Sequence, residues 1–317
     1  MESEVITYSS WAKQWLGKKE RLVKESSFSA YSNIMVNHLI PRFGGLELNS
    51  LSEEVIQEYA FHLLHKGRLD GNGGMSERTA KDIIVVLKNT LRDAMRQRIL
   101  PQAELNIQFP NQHDQYKIQV LPKDAQRKLV QAIYLDLTPK SAGILLALHT
   151  GLRIGEICGL KWNDIDFDQK ILKVQRTVQR VYRKALDGSG KSKIVISTPK
   201  TRSSKREVPL AGLLLPVLRK ILPENIDTFF LSRNENCLEV RTFRAFFENF
   251  LSSNQIDRIN FHALRHTFAT RCIEAGGDCK TVSELLGHST VNMTLNLYVH
   301  PQIEQKRKCV ELLVDML

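Results

Sequence analysis

The apolar residues of this 317-residue chain repeat at helical spacing up to about residue 100, lose that period from Pro101 to about Val120, and then resume it. The lapse constrains the fold more than any other feature. A polar stretch holding Pro101 and Pro110 reads as a linker, so the residues on its two sides have to build separate cores. The length is sufficient for two ordinary domains. The expected division is a helical domain over 1–105, a linker over 106–120 and a second domain over 121–317.

In the first domain Trp11 and Trp15 sit four apart, and Phe28, Tyr31, Met35 and Leu39 follow at helical spacing. Ser50 with Glu53 fits a capping box opening a helix that carries Val55, Ile56, Tyr59 and Leu63. After the loop at 67–74, a strongly amphipathic helix is predicted from about Ser76 to Ile99, with Ile83, Ile84, Leu87, Leu91 and Met95 inward. Lys81, Lys88, Arg92 and Arg96 share another face of it. That stripe is either an ordinary solvated face or a phosphate-binding one.

The second domain opens with helices over Lys123–Tyr134 and Ser141–His149, and a further helix is expected after Gly151. Then come DIDFDQKILKVQRTVQRV, the turn DGSGK (187–191), KIVIS and REVPL, which read as a small antiparallel sheet. Helices return after Leu210 and end in one around Gln305–Met316. The class is therefore mainly α, with a helical first domain and a mixed α/β second domain.

The formal net charge of +11 calls for a polyanionic partner, nucleic acid ahead of acidic membrane or acidic protein. No apolar run approaches the roughly 20 residues that span a bilayer. The N-terminus lacks a basic segment followed by an apolar one, so no signal peptide is read and the cytoplasm is the expected compartment. Five dispersed cysteines without a C-x-x-C pair read as reduced thiols.

Some local patterns mislead. GSGKS (188–192) imitates the end of a P-loop, but Ala185 stands where that motif needs glycine, and a strand follows it rather than a helix. Asp164, Asp166 and Asp168 alternate as in a calcium loop, yet Gln169 and Gln175 occupy the glycine and glutamate positions. His262 and His266 lie four apart, but Ala263 replaces the glutamate of the zinc motif, so no metal site is assigned.

A different set of residues cooperates. HTGLRIGEICGLKW (149–162) places Arg153 just after a glycine that can end one helix and start another, with Glu156 three residues on to orient it. STPKTRSSKREVPL puts Lys200 at a turn, next to Arg202, Lys205 and Arg206. FHALRHTFAT (261–270) sets His262 and Arg265 on one helical face, and LLGHSTVNMTLNLYVH (285–300) carries His288 and Tyr298. Two arginines can clamp a phosphate, a lysine can protonate a leaving oxygen, a histidine can take a proton and a tyrosine can attack.

In this order the motifs resemble the tyrosine recombinase (phage integrase) family over the whole second domain, and more weakly over the first, which is similar to the family's SAM-like core-binding domain. The resemblance implies a site-specific DNA recombinase in which Tyr298 attacks the scissile phosphate to give a 3′-phosphotyrosine. Arg153, Arg265 and His288 then hold the phosphate, His262 acts as base, Lys200 as general acid and Glu156 as support, with no cofactor or nucleotide. Lys81, Lys88, Arg92, Arg96 and Arg202 are the DNA-contacting candidates. The implied partner is double-stranded DNA with paired recombination sites, bound by a homotetramer whose C-terminal helix (Val310, Leu312, Leu313, Val314, Leu317) docks into a neighbour; packing of that helix on its own domain is the alternative. A directionality factor and a nucleoid-associated location complete the expectation. Many phage-type integrases carry an arm-binding domain ahead of the core-binding segment, and from the resemblance the expectation is a recombinase that begins at the core-binding segment. The stretches VQRTVQRV and TPKTRSSKREVPL look most like mobile-element integrases. Dimer resolution, DNA inversion, a type IB topoisomerase-like activity and a silent DNA-binding regulator are the other readings.

Overall fold

The computed structural model describes residues 5–110, 118–198 and 205–298, with the single positions 307 and 311. They gather into two compact units, Met1–Gln115 with Val181–Lys193 and Tyr116–Arg180 with Ile194–Leu317. The expected C-terminal helix at 305–316 lies outside the described residues, 307 and 311 excepted.

The first unit is built on the helical pattern of its sequence. Helices α1 (Tyr8–Leu22), α2 (Glu25–Ile34), α3 (Ile40–Phe43), α4 (Glu53–Lys66) and α5 (Glu77–Arg96) surround a core of Trp11, Trp15, Phe28, Met35, Phe43, Tyr59 and Leu87. Both indoles of α1 are satisfied by α5: Trp11 Nε1 donates to Thr90 O at 3.0 Å, and Trp15 Nε1 to Asp93 Oδ2 at 2.8 Å. A π-helical turn, Met35–Leu39, joins α2 to α3, with Ile40 N donating to Met35 O. Its cause is Pro41, which has no N–H for a regular helical bond and crowds the preceding turn. The cap of α4 differs from expectation. Ser52, not Ser50, accepts from Val55 N, while Ser50 Oγ donates to Glu47 O in a short 3₁₀ turn and Glu53 accepts from Asn106 N instead. Ser52 is the residue in the extended conformation (φ −73°, ψ 169°) that an N-cap requires.

Residues 181–193 belong to the hairpin formed by β3 (Thr177–Lys184) and β4 (Gly190–Ser197), whose turn is closed by Gly188 N donating to Ala185 O. Asn33 serves the hairpin backbone as a neighbouring strand would: its Oδ1 accepts from Lys184 N at 2.8 Å and its Nδ2 donates to Tyr182 O at 2.6 Å. Ser29 and Ser32 add hydroxyl donors to Tyr182 O and Lys184 O.

The second unit is arranged around α7 (Pro139–Thr150), apolar almost all round and buried from Ala142 to Leu148. It packs against α6 (Lys123–Leu135), α8 (Ile154–Gly159), α9 (Leu214–Lys220), α10 (Val240–Ser253) and α11 (His262–Glu274). α12 (Cys279–Leu286) and α13 (Val291–Tyr298) pack on α11 and on each other. A three-stranded antiparallel sheet in the order β1 (Ile165–Asp166), β2 (Ile171–Val174), β5 (Arg206–Pro209) seats Leu172 opposite both Ile165 and Val208. The strands expected as one sheet are thus shared between this sheet and the separate hairpin. Of the aspartates at the β1–β2 turn, Asp166 caps the turn by accepting from Asp168 N and Gln169 N, and Asp164 pairs with Arg176 at 2.7 Å.

Gly151 ends α7 at φ 65°, and an added Cβ there would lie 2.6 Å from Phe268 Cδ1 and 2.7 Å from Leu286 Cδ2. Left-handed backbone and overpacking both oppose a side chain at this position. Gly151→Ala is expected to destabilise the protein by about 2 kcal/mol or more, measured by urea denaturation.

Candidate active site

Gly151 also sets where the site begins. After it Leu152 is buried, and Arg153 becomes the N-cap of α8 with extended backbone (φ −72°, ψ 150°). One helical turn on, Glu156 is buried and folds back: Oε2 accepts from Arg153 N at 2.9 Å and Oε1 from Arg153 Nη1 at 2.8 Å. A second guanidinium reaches the same carboxylate from β5, where Arg206 donates to Oε1 at 3.1 Å and to Oε2 at 3.0 Å.

Three arginines meet at one helix end. Arg206 Nε donates to Leu285 O at 2.6 Å, Arg265 Nη2 to Leu286 O at 2.7 Å and Arg153 Nη2 to Gly287 O at 3.3 Å. These consecutive carbonyls close α12, which Gly287 terminates at φ 65°. Arg265 also donates to Gly151 O at 2.8 Å, so one guanidinium, 1% exposed, ties the ends of α7 and α12 together. Cations are favoured at both positions, because unsatisfied carbonyls give a helix C-terminus partial negative charge.

Gly287 leads directly into His288, whose Nδ1 lies 2.8 Å from Thr294 Oγ1 on α13. His262 opens α11, its outer face open to solvent while its ring stands edge-on to His266 with centroids 4.6 Å apart, which partly encloses it. Burial, reinforced by His266, Arg265 and Arg153, holds the His262 imidazole down at about 4. Burial together with Arg265, Arg153 and Arg206 does the same to His288, also to about 4. Both are therefore neutral at pH 7. Burial alone would raise the Glu156 carboxyl, but hydrogen bonds and charge from Arg206, then Arg153, hold it below the usual carboxylate range.

The structure thus brings Arg153, Glu156, Arg265, His288 and His262 into one electrostatic neighbourhood. Tyr298 is the last residue of α13, which packs on α11 and α12, though its side chain is not among those described. Lys200 and Arg202 lie outside the described residues. On α5 in the first unit, Lys81 pairs with Glu77 and Arg96 with Asp93, while Lys88 and Arg92 make no ion pair among the described residues. Two residues of the site carried no role in the sequence reading. Thr294 gave no signal there. Arg206 did, because it lies two positions before buried Val208 on a strand and so shares the inward face.

The sequence model of the phage integrase family matches residues 119–305, and that of the phage integrase N-terminal SAM-like domain matches residues 7–64. A tyrosine recombinase XerC-like protein of Caldanaerobacter subterraneus is 29% identical, over 98% of this chain and 83% of its own length. The ICEBs1 integrase of Bacillus subtilis is 22% identical, over 100% of this chain and 85% of its own. The Tn1549 transposon integrase, solved in complex with transposon right end DNA, shares the fold with a TM-score of 0.77 at 23% identity, covering 98% of this chain and 100% of that one. No helix among the described residues is long and apolar enough to cross a membrane.

The depressed histidines make stability depend on pH with a definite sign. Unfolded imidazoles bind protons near 6.5 while folded His262 and His288 do so only near 4, so the unfolded state gains protons first as pH falls. Stability is full above about 6.5 and is lost progressively down to about 4. His149 and His266, lowered chiefly by burial, act in the same direction. Urea midpoints measured across this range should fall for wild type, and fall less steeply for His262→Asn/His288→Asn.

Proposed function

The chain belongs to the phage integrase family of tyrosine recombinases, enzymes that transfer DNA strands, and on that premise we propose how its site works. Tyr298 attacks the scissile phosphate, forming a bond from its phenolic oxygen to phosphorus and breaking the bond from phosphorus to the 5′-oxygen. His262 takes the phenol proton, and Lys200 delivers a proton to the departing 5′-oxygen. The product is a 3′-phosphotyrosine that keeps the energy of the original ester, so a 5′-hydroxyl from another strand can reverse the step without a nucleotide. Arg153 and Arg265 offer planar forks to the non-bridging oxygens, and His288 donates a further hydrogen bond. The observation that carries this reading is the convergence of Arg153 and Arg265 on the carbonyls of Gly287 and Leu286, which places two fixed guanidiniums beside His288 and at the helix end preceding α13.

The physiological substrate in this reading is DNA at the paired ends of a mobile element, recombined in the cytoplasm by a homotetramer of this chain on two sites. Lys88 and Arg92 of α5 contact the DNA backbone, joined by Arg202. The likeness to the XerC-like protein along nearly the whole chain favours one second reading, resolution of replicon dimers. Recombination between two identical sites, rather than between distinct element and target sites, separates the two.

The decisive experiment uses a nicked site from which the 5′-hydroxyl fragment diffuses away. Wild type should accumulate a covalent protein–DNA species on a denaturing gel, and Tyr298→Phe should form none while binding DNA equally well; a Tyr298-independent band, or none on either element end, would falsify the assignment. A second expectation concerns α5. Lys88→Gln and Arg92→Gln should each weaken binding to all sequences and flatten the slope of log affinity against log salt by about 0.9.

A further inference from the structure

Arg206 has no place among the residues that meet the phosphate, yet its guanidinium bonds directly to Glu156, the carboxylate that holds Arg153. Its side chain is 6% exposed, against 36% for Arg153, and all three of its guanidinium nitrogens donate to acceptors within the protein. What Arg206 does reach is Glu156, through both terminal nitrogens, and the Leu285 carbonyl, through Nε. Those contacts have two consequences. Oε1 of Glu156 is shared between Arg153 Nη1 and Arg206 Nη1, and Oε2 between Arg153 N and Arg206 Nη2, so the carboxylate is fixed from two directions rather than resting on one residue. The trio also keeps one net positive charge, whereas Arg153 and Glu156 alone would neutralise each other and leave Arg265 as the remaining attraction for an incoming anion.

We propose that Arg206 is a positioning residue for strand transfer: through Glu156 and the end of α12 it holds Arg153 and His288 in the geometry that the scissile phosphate requires. The proposal rests on the reading of Arg153 as a phosphate clamp. A lysine could not replace it, since one ammonium cannot span both carboxylate oxygens and the Leu285 carbonyl as a planar fork does.

The test compares cleavage by the full-length protein on two nicked duplexes, one with the natural phosphate at the cleavage position and one with an uncharged methylphosphonate there. Arg206→Lys, which keeps the cation, and Glu156→Gln, which keeps the shape, are measured alongside wild type, with melting and DNA affinity as controls. On the natural phosphate both variants should cleave about 10²-fold more slowly, the loss that a small misplacement of a clamping group produces. On the methylphosphonate, where less charge has to be held, the gap from wild type should shrink markedly. Equal slowing on both duplexes would mean general damage to the fold and would overturn the proposal, as would wild-type rates for both variants on the phosphate. If wild type itself forms no Tyr298-linked product on the natural phosphate, the failure lies with the reading of the site, not with Arg206 in particular.

Discussion

Everything at the site depends on the end of α12. A helix C-terminus leaves carbonyls without intrahelical partners, and in a buried setting each costs free energy unless a donor is found. Here the last three are given to three arginines from three different elements, β5, α11 and the start of α8. The arrangement is reciprocal. The carbonyls let cations stay deep in the protein at modest cost, and the cations fix the helix end, so that Gly287 can turn and His288 can begin the loop to α13. Glu156 supplies the only carboxylate in this hydrogen-bonded set, and its burial is tolerable because Arg153 and Arg206 supply all four of its donors shown here.

This interdependence explains why Arg265 is almost completely buried although the proposed chemistry asks it to face a phosphate. Its guanidinium bridges Gly151 O and Leu286 O, so two of its nitrogens are committed to the fold before any ligand arrives. Such a group loses little conformational freedom when an anion binds, because the ordering was already completed on folding. Arg153, at the rim and held by Glu156, is the more accessible fork.

Much of this was legible in the sequence, for identifiable reasons. The helix at Glu77–Arg96 was visible because its apolar residues follow a single face for five turns, and Gly151 marked the break between α7 and α8 because only glycine readily accepts the left-handed turn needed there. The family was legible because its motifs stand in order along the chain. What stayed hidden depended on long-range partners. A choice between Ser50 and Ser52 as the α4 cap turns on backbone angles, and Glu53 is drawn away by the Asn106 backbone, 53 positions distant. Nothing in the hairpin sequence announces that Tyr182 and Lys184 will be read by Asn33. Arg206 looked like one more cation in a basic run, and only the alternation with Val208 separates it from Lys205, which is exposed.

The electrostatics of the site bear on the order of events. Three guanidiniums and one carboxylate gather there, and both histidines are held down to about 4, in part by those same cations. A neutral imidazole is available to accept a proton, but one held near 4 is a weak base toward a phenol that ordinarily ionises near 10. A phosphodiester entering among the arginines adds the missing negative charge, and every such charge favours the protonated imidazole. In the proposed mechanism His262 would therefore gain basicity only once the phosphate is bound. On that mechanism the proton acceptor becomes competent when the target of attack is in place, which would tie activation of the nucleophile to DNA binding.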